Sequence, residues 1–341
     1  MARHRQAFIE SVGQVLDRGS LLLGPELLAF EGAFARCAGG RECVGVASGA
    51  SALQLALAAL DVGPGDEVIV PAMTAVPTAA AVCAVGATPV FADVELATAA
   101  LDPSAAQAAL TARTRAVIGV HLYGRPFDVG ALVAAVGVPV VEDSAQAHGA
   151  TARVAGTMAA YSFYPTKNLG GVGDGGALVT DDAGLAERVR RLRAHGMAEQ
   201  YVHVEISQNF RMSEIEAAWL GLTLPFLAAD NERRRSIAAA YRQAAPHLVW
   251  QADHPSHVHH LAVVRAHDRA AFRKHLDAKG VGSAVHYPLA LTQQPAYTRF
   301  AGAPCPNAEL WSAGCVSVPC FPELTDAEVA TVCDALQGAP A

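Results

Sequence analysis

The first half of the chain alternates short apolar runs with alanine-rich stretches, and this alternation limits the fold more than any other feature. The apolar runs have the length and β-branched content of strands, and the stretches between them are long enough for helices. The predicted strands are Cys43–Ala47, Glu67–Val70, Pro89–Ala92, Ala116–Val120, Val138–Val141 and Ala177–Thr180, and the predicted helices are Ser51–Leu60, Val76–Ala84, Pro103–Leu110 and Asp128–Val136. Such units build a mostly parallel sheet whose ligands bind at the carboxyl ends of the strands.

The pattern changes beyond about residue 245. Leu248–Gln251 and Val258–Val264 predict two more strands, and Arg269–Ala278 and Asp326–Leu336 predict helices. We interpret the chain as an α/β protein with a large domain at 1–230, which includes an N-terminal helical segment, and a smaller α+β domain at 231–341.

Composition excludes several classes of protein. Of 341 residues, 52% are hydrophobic and 17% charged, so the chain is not disordered, and its net charge of -7 does not favour nucleic acid or an anionic membrane as a partner. The uncharged stretch between Glu67 and Asp93 is interrupted by Pro71, Pro77 and Gly86, which argues against a membrane span.

The cysteines and the N-terminus indicate where the protein works. The seven cysteines are odd in number and contain no C-x-x-C pair, so we expect reduced thiols rather than a disulfide framework or a zinc ribbon. The first 20 residues contain no apolar core of a secretory signal. The expectation is a cytoplasmic protein.

Lysine is rare in this chain, and one lysine occupies an unusual position. Only three of the 25 basic residues are lysines. Lys274 and Lys279 lie at a charged helix end, where a solvated position explains them. Lys167 stands alone in YSFYPTKNLGGVGDGG. Since an amine can lose its proton and attack a carbonyl whereas a guanidinium cannot, Lys167 is a candidate nucleophile.

Other loop motifs supply the partners that such an amine needs. Ser48–Ser51 follows a strand and opens a helix, which gives a cup of backbone amides for an anion. VVEDSAQAHGA places Asp143 at a buried strand end, where a carboxylate needs a cation. The spacing of Gly171, Gly173 and Gly176 matches a dinucleotide fingerprint, which we reject because a strand rather than a helix follows. A phosphate cup, a carboxylate and a lone amine together suit pyridoxal 5′-phosphate (PLP).

The HVHH run is the only part of the sequence that suggests a metal. Its residues His257, His259 and His260 lie on a strand-like run where side chains alternate between faces, and we expect no carboxylate close by. We therefore expect structural packing here and no metal site.

With these motifs in hand, the chain resembles the DegT/DnrJ/EryC1/StrS family, PLP-dependent sugar aminotransferases of fold type I. The resemblance covers nearly the whole chain and rests on the segments SGASALQLAL, GATPVFADVE, VHLYGRP, EDSAQAHGA, SFYPTKNLGGVGDGG, NFRMSEIEAA and GVGSAVHYPLALTQQPAY. It implies a three-layer αβα large domain with a mostly parallel sheet, a smaller C-terminal α+β domain, and a homodimer with shared active sites.

The resemblance assigns three residues to the chemistry of the cofactor. Lys167 would form a Schiff base with PLP and then move a proton between the donor Cα and C4′ of the cofactor. Asp143 would keep the pyridine nitrogen protonated, and Gln146 would contact the phenolic oxygen.

The resemblance assigns further residues to binding. The phosphate would lie against the cup of Gly49, Ala50 and Ser51, together with Ser162. Asn209 would reach the phosphate of the neighbouring subunit, and the substrate would meet three residues, His148, His286 and Tyr287.

Two departures from the family pattern concern the cofactor. The cup has Ala50 where the family usually has threonine, with a hydroxyl one residue later at Ser51. Ala75 replaces an aromatic residue that commonly stacks on the pyridine ring, and Met73 and Val76 are the alternatives for covering it.

The implied reaction is transfer of an amino group from glutamate or glutamine to a keto sugar, most often a nucleotide-linked ketohexose. A keto-cyclitol aminotransferase, a PLP-dependent lyase or dehydratase, and a non-catalytic family member remain alternatives. A branch that removes a hydroxyl has histidine at the lysine position, so Lys167 argues against it.

Overall fold

A seven-stranded sheet forms the centre of the computed structural model, which describes residues 2–151 and 153–340. Its strand order is β1-β7-β6-β5-β4-β2-β3. The strands are β1 (Glu42–Val46), β2 (Glu67–Pro71), β3 (Thr88–Ala92), β4 (Thr114–Val120), β5 (Val140–Asp143), β6 (Met158–Ser162) and β7 (Gly176–Thr180).

The sheet is mostly parallel, as the alternating pattern predicts. Strands β3, β2, β4, β5 and β6 run in one direction, and β7 pairs antiparallel with both β6 and β1. Strand β6 was not predicted, because MAAYS contains no β-branched residue. Its conformation is instead set by hydrogen bonds to β5 and β7.

Helices cover the sheet and complete the second region of the chain. They are α1 (Arg5–Arg18), α2 (Pro25–Ala38), α3 (Gly49–Ala59), α4 (Val76–Ala84), α5 (Pro103–Ala108), α6 (Val129–Val136), α7 (Ala183–Leu192), α8 (Glu214–Thr223), α9 (Leu227–Ala244), α10 (Arg269–Ala278), α11 (Pro306–Gly314) and α12 (Asp326–Gln337). Most of them are separated by short loops, as expected for packed βα units.

Both faces of the sheet are buried, which gives three layers. Along β6, Met158 and Ala160 pack into one core, with α3 and α4, whereas Ala159 and Tyr161 pack into another, with α2 and α8. Because successive side chains point to opposite faces of a strand, this division places helices on both sides. The αβα architecture predicted for the large domain is therefore confirmed.

The region beyond α9 contains a small antiparallel pair, β10 (Ala262–Arg265) and β11 (Cys315–Val318). The predicted strand Val258–Val264 is paired only in its last three residues, and Leu248–Gln251 makes a single bridge, from Trp250 to Val264. Helices α10 and α12 pack on the pair to form a separate core. The proposed domain boundary at residue 230 falls inside α9.

A short hairpin of β8 (Met197–Glu199) and β9 (Val202–His203) projects between α7 and α8. Across residues 2–151 and 153–340, none of the helices combines the length and the apolar character needed to cross a bilayer.

Candidate active site

Most of the predicted cofactor-binding residues lie at one edge of the sheet. Strands β1, β5 and β6 all end at this edge, so the residues that follow β1 lie beside Asp143 and Ser162, the last residues of β5 and β6. Strand β7 begins at the same edge with Gly176. Motifs that lie more than 100 residues apart in sequence are thereby brought together by topology.

The start of α3 forms the predicted anion cup. The Ser48 side chain caps the helix by accepting a hydrogen bond from the Ser51 amide at 3.1 Å, and the Ser51 hydroxyl donates to the Ser48 carbonyl at 2.9 Å. Ala50 is exposed, whereas Gly49 and Ser51 are buried. The free amides of the first helical turn and its positive dipole end suit a phosphate group.

Glycine is required at the cup because neighbouring backbone approaches closely. A Cβ on Gly49 would lie 2.5 Å from Cβ of Ser162, and one on Gly176 would lie 2.3 Å from the carbonyl of Ser48. Ser162 therefore lies directly against the start of α3, as its predicted role in phosphate binding requires.

Lys167 lies in a tightly folded loop after β6. Its backbone amide donates to the Tyr164 carbonyl at 2.8 Å, and Trp219 donates to the carbonyl of Gly170 at 2.8 Å. Burial lowers the pKa of Lys167 from 10.5 to about 8, and the nearby carboxylate of Asp143 opposes this shift. A much larger fraction of this amine is consequently neutral near physiological pH than for an exposed lysine.

Asp143 is buried and holds two hydrogen bonds. Its Oδ2 accepts from the Thr78 hydroxyl at 2.9 Å, and its Oδ1 accepts from the Ala145 amide at 3.2 Å. Burial raises its pKa, while these two bonds and the Lys167 charge oppose the increase. The sequence analysis did not identify Thr78, since a threonine in a helical first turn carries no distinguishing signal.

Gln146 links the sheet edge to the second region of the chain. Its Oε1 accepts from the Tyr123 amide at 2.6 Å, and its Nε2 donates to the Tyr287 hydroxyl at 3.1 Å. The Tyr123 hydroxyl in turn donates to the carbonyl of His286. These bonds orient the Gln146 amide and leave its second N–H available for an acceptor.

A buried carboxylate that is hydrogen-bonded to a histidine lies directly before Asp143. Glu142 accepts from the amides of Ala155 and Gly156, both at 2.7 Å, and its other oxygen lies 2.9 Å from Nε2 of His121. Since the Phe127 amide donates to Nδ1 of His121, the proton resides on Nε2 and is donated to Glu142. These contacts fix the end of β5 from the opposite side.

A cleft of about 930 Å³ opens beside Lys167. It lies between the Lys167 loop, the N-terminal segment and the second region. His286 is the second predicted site residue on its wall, whereas Asp143, Gln146 and the anion cup do not line it. Trp219, Phe321 and Arg234 also line it. Burial and the Lys167 charge lower the pKa of His286, which favours its neutral form.

His148 lies close to Lys167 and the Ser162 backbone but is buried, whereas Asn209 is on the surface of the single chain. His148 has no exposed surface, and its ring packs against those of Tyr161 and Phe163. Burial lowers its pKa to about 3, so its placement favours a neutral packing residue over contact with substrate. Asn209 is exposed and accepts a hydrogen bond from Nε of Arg211 at 2.9 Å.

Position 75, where the family commonly has an aromatic residue, is partly exposed. Ala75 is half-buried and precedes α4, and Val76 beside it is 39% exposed. Met73 has no exposed surface, so of the two alternatives only Val76 can contact a ligand in this conformation.

The three histidines of the HVHH run are buried. The expectation that no carboxylate lies close by is wrong, because the loop before the run brings Oδ1 of Asp253 to 3.8 Å from Nε2 of His259. The rings of His257 and His259 stack with centroids 3.7 Å apart, and Nε2 of His257 lies 3.2 Å from the Gln251 carboxamide oxygen. Gln251 then donates to the carbonyls of Thr98 and Leu122, which ties the second region to the sheet.

Comparison with known proteins assigns this arrangement to a family. The model of the DegT/DnrJ/EryC1/StrS aminotransferase family matches residues 2–337. The chain belongs to this family. It is also 43% identical, over 96% of its length and 90% of the relative's, to dTDP-3-amino-3,4,6-trideoxy-alpha-D-glucose transaminase from Streptomyces venezuelae. The protein is accordingly an aminotransferase, and the resemblance drawn from the motifs is confirmed.

Solved structures of aminotransferases show the same fold. DesV from S. venezuelae in complex with a ketimine intermediate superposes with a TM-score of 0.94 at 42% identity and covers 98% of this chain and 95% of its own. NtdA from Bacillus subtilis with bound cofactor PMP superposes with a TM-score of 0.92 at 26% identity, covering 98% and 82%. The aminotransferase described here thus has the predicted fold type I architecture.

The residues at the sheet edge fit the family's cofactor. The cup at Gly49 and Ser51 presents donors to an anion, Lys167 supplies an amine of lowered pKa, and Asp143 supplies a buried carboxylate. Each of these groups matches one part of a pyridoxal phosphate molecule: phosphate, aldehyde and ring nitrogen.

Proposed function

We propose that this aminotransferase uses PLP held at Lys167 to transfer an amino group from glutamate or glutamine to a nucleotide-linked keto sugar. The observation that carries the proposal is the buried amine of Lys167, with a pKa lowered to about 8, beside the Asp143 carboxylate. An unprotonated amine is needed both to bond a carbonyl carbon and to accept a proton.

Different residues of the chain bind the cofactor and transfer the proton. When bound, PLP supplies a conjugated ring that accepts the electron pair left when the donor's Cα–H bond breaks. Lys167 is the base that takes that proton and later returns it. Asp143, held by two hydrogen bonds, keeps a proton on the ring nitrogen.

The remaining residues orient the cofactor. Gly49, Ser51 and Ser162 would bind its phosphate, with the exposed Ala50 adding its backbone amide. Gln146 would donate its free N–H to the phenolic oxygen, since its other groups are already paired with Tyr123 and Tyr287.

The cleft supports a large anionic substrate. Its volume of about 930 Å³ is near the upper end for small-molecule sites. The guanidinium of Arg234 on its wall donates to the carbonyl of Cys320 and, among the described residues, has no carboxylate within 4.0 Å. Phe321, which is 42% exposed, offers apolar surface for a base or sugar ring. The S. venezuelae relative is named for a dTDP-linked amino sugar, which agrees with this substrate class.

A homodimer with shared sites is part of the proposal. Beside the exposed Asn209, the hairpin region presents four exposed apolar side chains, and Ile206 among them is fully exposed: Tyr201, Val202, Val204 and Ile206. An apolar group of this size on an isolated chain indicates a protein contact. A second copy covering it would bring its own Asn209 toward a neighbouring site.

We also propose that the enzyme works in the cytoplasm. All seven cysteines carry free thiols, including four that are fully buried. Free thiols are typical of a reducing compartment.

The experiment is a transamination assay with matched lysine variants. The purified enzyme is loaded with PLP and mixed with glutamate or glutamine and a panel of dTDP- and UDP-linked ketohexoses, and amino sugars are detected by mass spectrometry. We expect product from the wild type and from Lys274→Arg, which changes an exposed lysine, and none from Lys167→Arg. Product from Lys167→Arg at the wild-type rate would contradict the proposal.

Keto-cyclitols in the same panel test the nearest alternative. Amination of a cyclitol alone would overturn the sugar assignment and leave the reaction class intact. Release of water or ammonia from a sugar without amino transfer would instead support the lyase or dehydratase alternative. Tight PLP binding with no reaction at all would favour a non-catalytic family member.

A further inference from the structure

A row of buried hydroxyl groups ends at the carboxylate of Asp143, and the proposed function gives these hydroxyl groups no role. Thr74, in the loop after β2, lies with its Oγ1 3.1 Å from Oγ1 of Thr78, and Thr78 donates to Oδ2 of Asp143 at 2.9 Å. We propose that Thr78 is a positioning residue that holds the Asp143 carboxylate in its anionic form and in the orientation that faces the cofactor's ring nitrogen. This inference rests on the proposed function.

The donor and the acceptor of each hydrogen bond from Thr74 through Thr78 to Asp143 can be assigned. A threonine hydroxyl has one proton to donate, and Thr78 donates it to a carboxylate, which has none to give. The contact between the two threonines therefore runs from Thr74 to Thr78. A hydroxyl that accepts one hydrogen bond becomes a better donor in the next, so Thr74 strengthens the bond that reaches Asp143.

Burial makes these hydroxyls donors that bulk water does not replace. Thr74 is 3% exposed, Thr78 is fully buried, and Asp143 is 6% exposed. Oδ1 has one protein donor, the Ala145 amide at 3.2 Å, and Oδ2 has Thr78. One lone pair on each oxygen remains for the ring nitrogen's N–H. Without Thr78, the carboxylate would lose a donor in a site with no solvent to substitute for it.

The two charges that act on Asp143 explain why an extra donor is needed. The titratable groups whose charge favours its anionic form are Lys167, from the loop after β6, and His121, at the end of β4. The Lys167 amine loses its charge as the pH rises through about 8, and His121 accepts from the Phe127 amide at Nδ1 and donates its Nε2 proton to Glu142. The charge that Lys167 offers to Asp143 is therefore lost at alkaline pH, whereas Thr78 donates at every pH.

The position of Thr78 also ties two parts of the site together. Thr78 lies in the first turn of α4, three residues after Ala75, where the family aromatic is missing. Its bond to β5 fixes the segment that would cover the ring. The same segment thus holds the Asp143 carboxylate through hydroxyl groups and has no aromatic side chain at position 75.

The test compares threonine-to-valine variants at matched buried positions. Thr78→Val removes the hydroxyl at nearly constant volume, Thr78→Ser keeps it, and Thr74→Val removes only the upstream donor. Thr180→Val is the control, since Thr180, at the end of β7, is 2% exposed and donates at 2.9 Å to the carbonyl of Thr157, just before β6. The readouts are the dissociation constant for PLP, measured by absorbance, and the rate of the half-reaction with glutamate as a function of glutamate concentration.

We expect Thr78→Val to raise the dissociation constant for PLP about tenfold, because a hydrogen bond to a charged group is lost. Thr78→Ser and Thr180→Val should stay within about twofold of the wild type, and Thr74→Val should lose roughly two- to threefold. The maximal half-reaction rate should fall in Thr78→Val with little change in the glutamate concentration that gives half that rate. A purely structural defect would not lower the maximal rate while leaving the glutamate concentration for half that rate unchanged.

The contrary results are equally specific. PLP binding by Thr78→Val within about twofold of the wild type, or an equal loss in Thr180→Val, would overturn the inference. If Thr78→Val does not fold, the graded loss in Thr74→Val carries the test, and unchanged binding there overturns it. Failure of the wild-type chain to bind PLP would refute the proposed function instead.

Discussion

Gly49 and Ser162 lie so close that a single methyl group on Gly49 would overlap the Ser162 side chain. The added Cβ would lie 2.5 Å from Cβ and 3.1 Å from Cα of Ser162. This contact joins the first turn of α3 to the end of β6, two elements more than 100 residues apart in the chain. It places the hydroxyls of Ser51 and Ser162 on the same cup.

Gly49→Ala should therefore destabilise the protein and weaken PLP retention. Overpacking of this kind costs about 1–3 kcal/mol of unfolding free energy. Gly13→Ala, in α1, is the control, because an added Cβ there meets no atom within 4 Å and should raise stability by about 0.5–1 kcal/mol. Urea denaturation and dialysis of the loaded protein measure the two effects. Equal unfolding free energies and equal PLP retention in Gly49→Ala and Gly13→Ala would contradict the close contact between Gly49 and Ser162.

The lowered pKa of Lys167 predicts a pH-dependent stability of the apoprotein. The unfolded chain, with a lysine pKa near 10.5, binds more protons than the folded chain, with about 8. Burying this amine therefore costs stability below pH 8, and the cost disappears as the pH rises from 8 toward 10.5. Lys167→Met removes the cost.

At pH 7, Lys167→Met should be more stable than the wild type by on the order of 2 kcal/mol, less than the full shift implies because Asp143 loses a nearby cation. The difference should shrink toward zero at pH 10.5. Denaturation at several pH values checks this, with the exposed Lys274→Met as the control. A stability difference independent of pH would show that the Lys167 amine is not desolvated.

The sequence predicted the parts of the site that depend on residue type. Lys167 was identified because a lysine in an arginine-rich chain occupies a glycine-rich loop, and Asp143 because a carboxylate ends an apolar strand. The structure places both at one edge of the sheet, as parallel topology predicts. Strand β6 was missed because its five residues have low β-propensity and pairing with its neighbours determines its conformation.

Residues that act through tertiary contacts could not be found in this way. Thr78 matters because α4 returns to the end of β5, and Tyr123 because its amide meets Gln146, and neither contact follows from local sequence. His148 is the opposite case, because its place in a site motif did not indicate that its side chain is buried. A histidine in a motif next to the site was assigned to substrate, yet aromatic rings enclose it.

The small side chain at position 75 predicts a gain of affinity on substitution. Ala75→Phe would restore an aromatic ring at the half-buried start of α4, and stacking contributes about 0.5–1.5 kcal/mol. The dissociation constant for PLP should fall by roughly two- to tenfold. Ala75→Leu, similar in bulk but without a π-system, is the control. An equal gain in both variants would attribute the effect to burial, and weaker binding in both would show that another side chain already covers the ring.

Mixing two inactive variants tests whether the sites are shared. If Asn209 of one subunit completes the site containing Lys167 of the other, a hybrid of Asn209→Ala and Lys167→Arg contains one wild-type site. Co-refolding equal amounts should restore about a quarter of wild-type activity, since half of the dimers are hybrids with one good site each. Mixing Lys167→Arg with wild type gives the reference curve. No recovery above the Asn209→Ala background would mean that each subunit builds its own site.

The most direct measurement is the identity of the residue that bonds to PLP. The purified protein is incubated with PLP, reduced with borohydride, digested and analysed by mass spectrometry. The account predicts a pyridoxyl group on the peptide containing Lys167, and none on peptides containing Lys274 or Lys279. An unmodified Lys167 peptide in a protein that has been saturated with PLP would contradict it.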